Sequence, residues 1–275
     1  MAKMKRIVLC ADDYGQDKAV STGILDLVKR QRLSAVSCLV NTAAWLQSAK
    51  DLSPHANNID VGLHFNLTEG KALSKSFIDT YGEDLFSLST LMQRSFLRLL
   101  KMEVIEAECH AQFERFKEGM GFLPHFIDGH QHVHQFPIIR HAVLNIYQKY
   151  LTQDAYIRLV NEKIKPSDLF NFKKIVIYLS GTRGLKHLLK QQGIPHNSSF
   201  SGIYSFAKAD HYPQLFPRFL AEIKDQGLIM CHPGIVSISK DEIREARYAE
   251  YQYLMSDQFV RDCAELKVNI TRFGE

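Results

Sequence analysis

Short apolar runs that stop on a charged or imidazole side chain recur along this 275-residue chain, and they restrict its fold more than any other feature. Ile7 to Ala11 runs into Asp12 and Asp13, IDVGLHF (Ile59 to Phe65) closes on His64, HFIDG leads to His130, and GLIMC reaches His232. Bounded runs of this length fit buried strands better than helices. Between them apolar residues recur at helical spacing: from Asp17 to Gln31, the side chains of Val20, Ile24, Leu27, Val28 and Gln31 share one face. Strands that alternate with helices build a parallel sheet, because parallel neighbours need a crossover connection. The expected fold is therefore α/β: a single-domain β/α barrel-like fold over residues 1–275, distorted or incomplete relative to a TIM-type barrel.

Further along, SAVSCLV reads as a strand and TAAWLQSAKDL as a short helix. Residues 66–86 read as a long loop, Leu88 to Lys117 as amphipathic helix with one break, and HFIDGHQHVH as strand-like. Pro137 opens a helix, AYIRLV is a strand, and residues 161–200 form an irregular basic insert with a helical piece at RGLKHLLKQQG. Ser239 and Glu242 make a capping box for a helix to about Leu254, and LKVNIT is the last strand. No repeat or Gly/Ser linker divides the chain.

The net charge of +4 is the difference between 34 basic and 30 acidic residues without a long run of either sign, which gives no case for nucleic acid as a partner. Five cysteines, odd in number and without C-x-x-C spacing, are expected to be reduced thiols. The apolar run after MAKMKR is too short for a signal-peptide core, and no segment approaches the roughly 20 apolar residues needed to span a bilayer. The expectation is a soluble, cytoplasmic protein.

In a parallel barrel the strand C-termini share one face, so Asp12, Asp13, His64, the histidines after Asp128, and His232 are expected to converge. Five of the twelve histidines lie from His125 to His141, a clustering far above even spreading. In a strand, His130, His132 and His134 would point to one side, with one or two of them facing a metal. One carboxylate with two imidazoles suits a divalent ion with open positions, and Asp13, His64 and His130 supply that set. Asp12, beside the metal but not spent on it, is the expected general base. Adjacent aspartates are otherwise ordinary turn or cap residues, and a lone histidine is ordinarily packed. Only the joint placement at strand ends favours chemistry. Tyr14, Phe65, Phe136 and Tyr204 serve equally as sugar-stacking aromatics or as core.

The blocks ADDYG, VGLHFNLTEG, PHFIDGHQHVHQFP and MCHPG, in this order, resemble the signature of the YdjC-like carbohydrate deacetylase family, which includes chitooligosaccharide deacetylases. The resemblance runs from residue 7 to about 255. It implies a barrel-like fold and one divalent metal ion, Mg2+ or Zn2+. It implies hydrolysis of an N-acetyl group from a sugar or oligosaccharide, with release of acetate. Asp13, His64 and His130 match the metal ligands, Asp12 the base, and His232 the acid that protonates the leaving amine. His132, His134, Tyr14 and Asp128 count as supporting or substrate-contacting residues. Where many members carry an acid shortly before CHP, this chain has Leu228. A homodimer is left open. Rival readings are a deacetylase of a lipid-linked, hopanoid-type amino sugar, a non-haem iron oxygenase, and a non-catalytic carbohydrate-binding protein.

Overall fold

The computed structural model describes residues 4–161, 181–236 and 241–275. In chain order its elements begin with β1 (Lys5–Tyr14), α1 (Lys18–Lys29), β2 (Ala35–Cys38), α2 (Trp45–Leu52), β3 (Asp60–Phe65) and α3 (Lys75–Tyr81). They continue with α4 (Leu88–Phe96), α5 (Met102–Met120), β4 (Phe126–Gly129), α6 (Ile139–Tyr150), β5 (Tyr156–Ile157) and α7 (Thr182–Gln191). Last come β6 (Phe200–Ser201), α8 (Tyr212–Glu222), β7 (Gly227–Cys231), α9 (Arg244–Met255), α10 (Asp257–Glu265) and β8 (Val268–Ile270).

The chain divides into two compact units, one of Met1–Cys38, Leu46–Val61 and Asn197–Glu275, the other of Leu39–Trp45 and Gly62–His196. In the first, β1 is central and runs parallel to β2, β7 and β8, with β6 parallel to β7. Its residues from Ile7 to Tyr14 are all buried, as expected of a parallel strand covered on both faces. Asp17 caps α1 by accepting from the Val20 N–H at 2.8 Å. In the second unit β3, β4 and β5 are parallel neighbours. Gly62 is needed there because a Cβ would lie 2.4 Å from the Phe126 ring on the next strand.

The strand order is β5-β4-β3-β2-β1-β7-β6, with β8 beside β1. Among the described residues the path has two ends, β5 and β6. This is an α/β fold of the incomplete-barrel class that the alternation of strands and helices predicts.

Two local expectations change, and the one break expected in the helix from Leu88 is found. The 66–86 segment contains α3, capped by Ser74, whose hydroxyl accepts from the Phe77 N–H at 3.2 Å. The break after Leu88 separates α4 from α5. The histidine segment is strand only to Gly129 and then turns as a 3₁₀ helix over His130–Gln135. Gln131 and His132 have φ of 51° and 62°, so the three histidines do not alternate along a strand face. The basic piece expected near Arg183 is α7. Ser239 of the expected capping box and residues 162–180 of the insert lie outside the described residues. All five cysteines are free thiols. No described helix is long and apolar enough to cross a membrane.

Candidate functional site

In the first unit the site residues follow from the register of β1. Ala11 pairs with Val36 and Tyr14 with Cys38, so β1 spends one residue more than β2 across this step. That is a β-bulge, a device that re-aims side chains beside active sites. Asp13 lies in it with φ of 69°, in the left-handed region that non-glycine residues enter at a cost. Asp12 and Asp13 are both about 1% exposed. Asp13 Oδ2 accepts from Arg247 Nη2 at 2.8 Å, while the same guanidinium reaches Asp241 Oδ2 through Nε at 2.6 Å and Gln16 Oε1 at 2.7 Å. Burial works against the Arg247 charge, but Asp13 and Asp241 outweigh it and hold its pKa above the ordinary value. This fixed cation answers the repulsion between two adjacent buried carboxylates.

On the neighbouring strand Cys231 pairs with Ala11, so His232 and Asp12 each follow a paired position. The His232 ring meets Phe206 edge-on, centroids 5.5 Å apart. Its backbone N–H donates to Glu250 Oε2 at 2.5 Å, and the Tyr204 hydroxyl donates to Glu250 Oε1 at 2.6 Å. A carboxylate from α9 thus reaches the His232 backbone, where Leu228, fully buried, offers none. Burial pushes the Glu250 carboxyl up to about 7, against the opposing pull of the two hydrogen bonds and Arg247.

The sign of that shift sets a pH dependence. The unfolded carboxyl ionises near 4.5 and the folded one near 7, so the stability it contributes is complete below the first value and is lost as pH rises through the second. The unfolding free energy of Glu250→Gln is expected to fall less over this window than that of the parent. Identical slopes in urea titrations across the window would mean that Glu250 ionises normally.

In the second unit His64 pairs with Asp128 across β3 and β4, and its Nδ1 lies 2.7 Å from Asp128 Oδ1. Asp128 Oδ2 is 2.7 Å from Arg158 Nη2, and both side chains are wholly buried. A carboxylate held against Nδ1 takes that nitrogen's N–H, and so fixes the tautomer and orientation of the ring. The His130 ring stands edge-on to His64 at 5.4 Å, with Nε2 3.1 Å from Glu69 Oε1. His134 is packed instead: its Nε2 lies 2.9 Å from the Arg158 carbonyl, and burial pulls its pKa down to about 4, which leaves it neutral. His132 is buried in the 3₁₀ turn.

Asp13, His64 and His130 are all buried, and each offers a donor atom of the kind a divalent metal takes. The four stacking aromatics named above are all buried, and the Tyr14 hydroxyl donates to the Ser48 carbonyl at 2.7 Å, which is a packing role. Arg158, Arg247, Glu250 and Glu69 were not singled out from sequence. Arg158 carries a signal as a lone cation inside the apolar AYIRLV, and Glu69 lies in the NLTEG part of a signature block.

Residues 6–265 match the model of the family described as YdjC-like protein. The chain belongs to the YdjC-like family. A carbohydrate deacetylase of Danio rerio is 34% identical to this YdjC-like chain over 145 residues, 51% of the chain and 46% of the relative. A chitooligosaccharide deacetylase of Yersinia pestis (strain Pestoides F) is 34% identical over 137 residues, 49% of the chain and 53% of the relative. The matched region thus spans about half the length of each of these relatives. A solved Enterococcus faecalis V583 structure, described as a candidate cellobiose-phosphate cleavage protein, superposes with a TM-score of 0.76 at 20% identity over 98% of each chain. It shares the fold of this YdjC-like protein.

Proposed function

We propose that this YdjC-like protein hydrolyses the N-acetyl group of an N-acetylated sugar or oligosaccharide, using one divalent metal ion held by Asp13, His64 and His130. The observation that carries the reading is the buried His64–Asp128–Arg158 chain. A metal-binding histidine typically donates its second ring N–H to a carboxylate, as His64 Nδ1 is placed to do. Its Nε2 is then the nitrogen with a lone pair to give. Arg247 engages one oxygen of Asp13, which directs the other toward a ligand role. The two named deacetylase relatives and the family match support the reaction class.

A divalent ion at such a site supplies Lewis acidity to a substrate carbonyl and lowers the pKa of a water. The residues of the chain do the rest. Asp12 takes a proton from the attacking water. Asp13 beside it is held by Arg247. His232, with its backbone pinned by Glu250, gives a proton to the departing amine nitrogen, which leaves as the free amino sugar while the acetyl group leaves as acetate. Atoms balance with one water consumed.

The test is to incubate the protein with a panel of N-acetylated oligosaccharides and measure acetate and new primary amine together. Equal amounts of both are expected. Amine without acetate, or neither product from any member of the panel, would defeat the reading.

His232→Ala separates the acid from the rest of the site. An activated acetyl ester has a leaving group that needs no proton, so the variant is expected to hydrolyse the ester near the parent rate while the acetamide rate falls roughly 10² to 10⁴-fold. Equal losses on ester and amide would leave His232 as a positioning residue only.

A further inference from the structure

α1 carries a glycine where the helix itself gains nothing from one. Gly23 is buried in the interior of Lys18–Lys29, a position at which alanine stabilises a helix better. What opposes alanine there is the loop after His232. A Cβ on Gly23 would lie 2.8 Å from both Gly234 Cα and Ile235 N, and 3.0 Å from the Gly234 carbonyl carbon. All three are backbone atoms, so no side-chain rotation relieves the contact. α1 also holds this loop by a hydrogen bond, in which the Ile235 N–H donates to the Ala19 carbonyl at 3.3 Å. α9 holds it as well: the Arg247 carbonyl accepts the Gly234 N–H at 3.1 Å, and Glu250 accepts the His232 N–H. Pro233, buried between these points, has its φ fixed by its ring, which removes one of the torsions that would let Gly234 move while His232 stays in place.

We infer that Gly23 is a positioning residue for His232: its bare Cα lets the loop from His232 to Ile235 seat on α1, and so sets where the imidazole stands. The inference rests on the acid role proposed for His232. α1 follows directly on the bulge that carries Asp12 and Asp13, with the Gln16 N–H donating to the Asp13 carbonyl at 3.0 Å and Asp17 capping the helix. One helix therefore ties the strand end of the base to the loop of the acid. With a Cβ at position 23 the loop and α1 must part by several tenths of an ångström. Proton transfer to a departing amine needs the acid within hydrogen-bond reach, so a shift of that size costs rate steeply on an amide. An ester with a good leaving group does not draw on the acid and reports on the rest of the site.

The experiment compares acetate release from an N-acetylated oligosaccharide with hydrolysis of p-nitrophenyl acetate, and adds thermal unfolding, for the parent and Gly23→Ala. The acetamide rate is expected to fall roughly 10- to 100-fold while the ester rate stays near that of the parent. Helix propensity alone predicts the opposite pattern, a higher Tm with parent rates on both substrates, and that result overturns the inference. Equal losses on ester and amide overturn it too, because Gly23 would then serve the fold at large. Ile235→Pro deletes the N–H given to the Ala19 carbonyl without altering α1 and is expected to show the same selective loss. It decides the matter where Gly23→Ala does not fold: a parent-like ratio of the two rates overturns the inference. A parent that releases no acetate from any N-acetylated oligosaccharide defeats the deacetylase reading and this inference together, whereas parent behaviour in Gly23→Ala defeats this inference alone.

Discussion

Asp12→Asn is expected to retain its metal and lose turnover by roughly 10² to 10⁴-fold, the usual worth of a general base. Asparagine keeps the shape of aspartate but cannot accept the proton of the attacking water. The site favours Asp12 over Asp13 for this role. Asp13 is committed through Oδ2 to Arg247, a cation that opposes proton uptake, whereas Asp12 Oδ1 has the weak thiol donor of Cys10 at 3.7 Å. Both sit in the same bulge, so a difference between Asp12→Asn and Asp13→Asn in metal content reads the division of labour directly. Acetate release at the parent rate by metal-loaded Asp12→Asn would make Asp12 a structural residue of the bulge.

His64→Ala is expected to abolish metal binding and bring acetate release to the uncatalysed background, since two remaining protein ligands are too few to hold the ion. Asp128→Asn should do less, weakening metal binding roughly 10- to 100-fold, because it disturbs the orientation of His64 without removing its nitrogen. That ordering separates a ligand from its support. Metal content by elemental analysis after dialysis, with thermal unfolding as a check on the fold, decides it. Full occupancy in folded His64→Ala would show that His64 is a core histidine paired with Asp128 and nothing more.

The sequence made the strand ends readable because a buried parallel strand has a plain signature: an unbroken apolar run that a polar residue terminates. Asp12, His64 and His232 stand out for that reason. The turn after Gly129 was not readable. HQHVH alternates as a strand would, and the left-handed backbone of Gln131 and His132 comes without a glycine to mark it. The α3 helix was hidden in the same way by polar residues that look like loop. The supports were the least readable part. Arg247 and Glu250 lie on α9, some 230 residues from β1, and nothing in their local pattern says that Asp13 or the His232 backbone needs them. Glu69 lay inside the NLTEG block, but its place near His130 depends on a hydrogen-bonded cage assembled from Asn41, Asn66 and Gln112.

The most direct measurement is acetate release from an N-acetylated oligosaccharide by one protein sample assayed as purified, after chelation, and after a divalent ion is restored. The metal-dependent deacetylation proposed above predicts release, loss to background, and recovery in that order, with recovery absent in His64→Ala. Undiminished release by the chelated protein, or no release from the metal-loaded parent on any N-acetylated sugar, would contradict it.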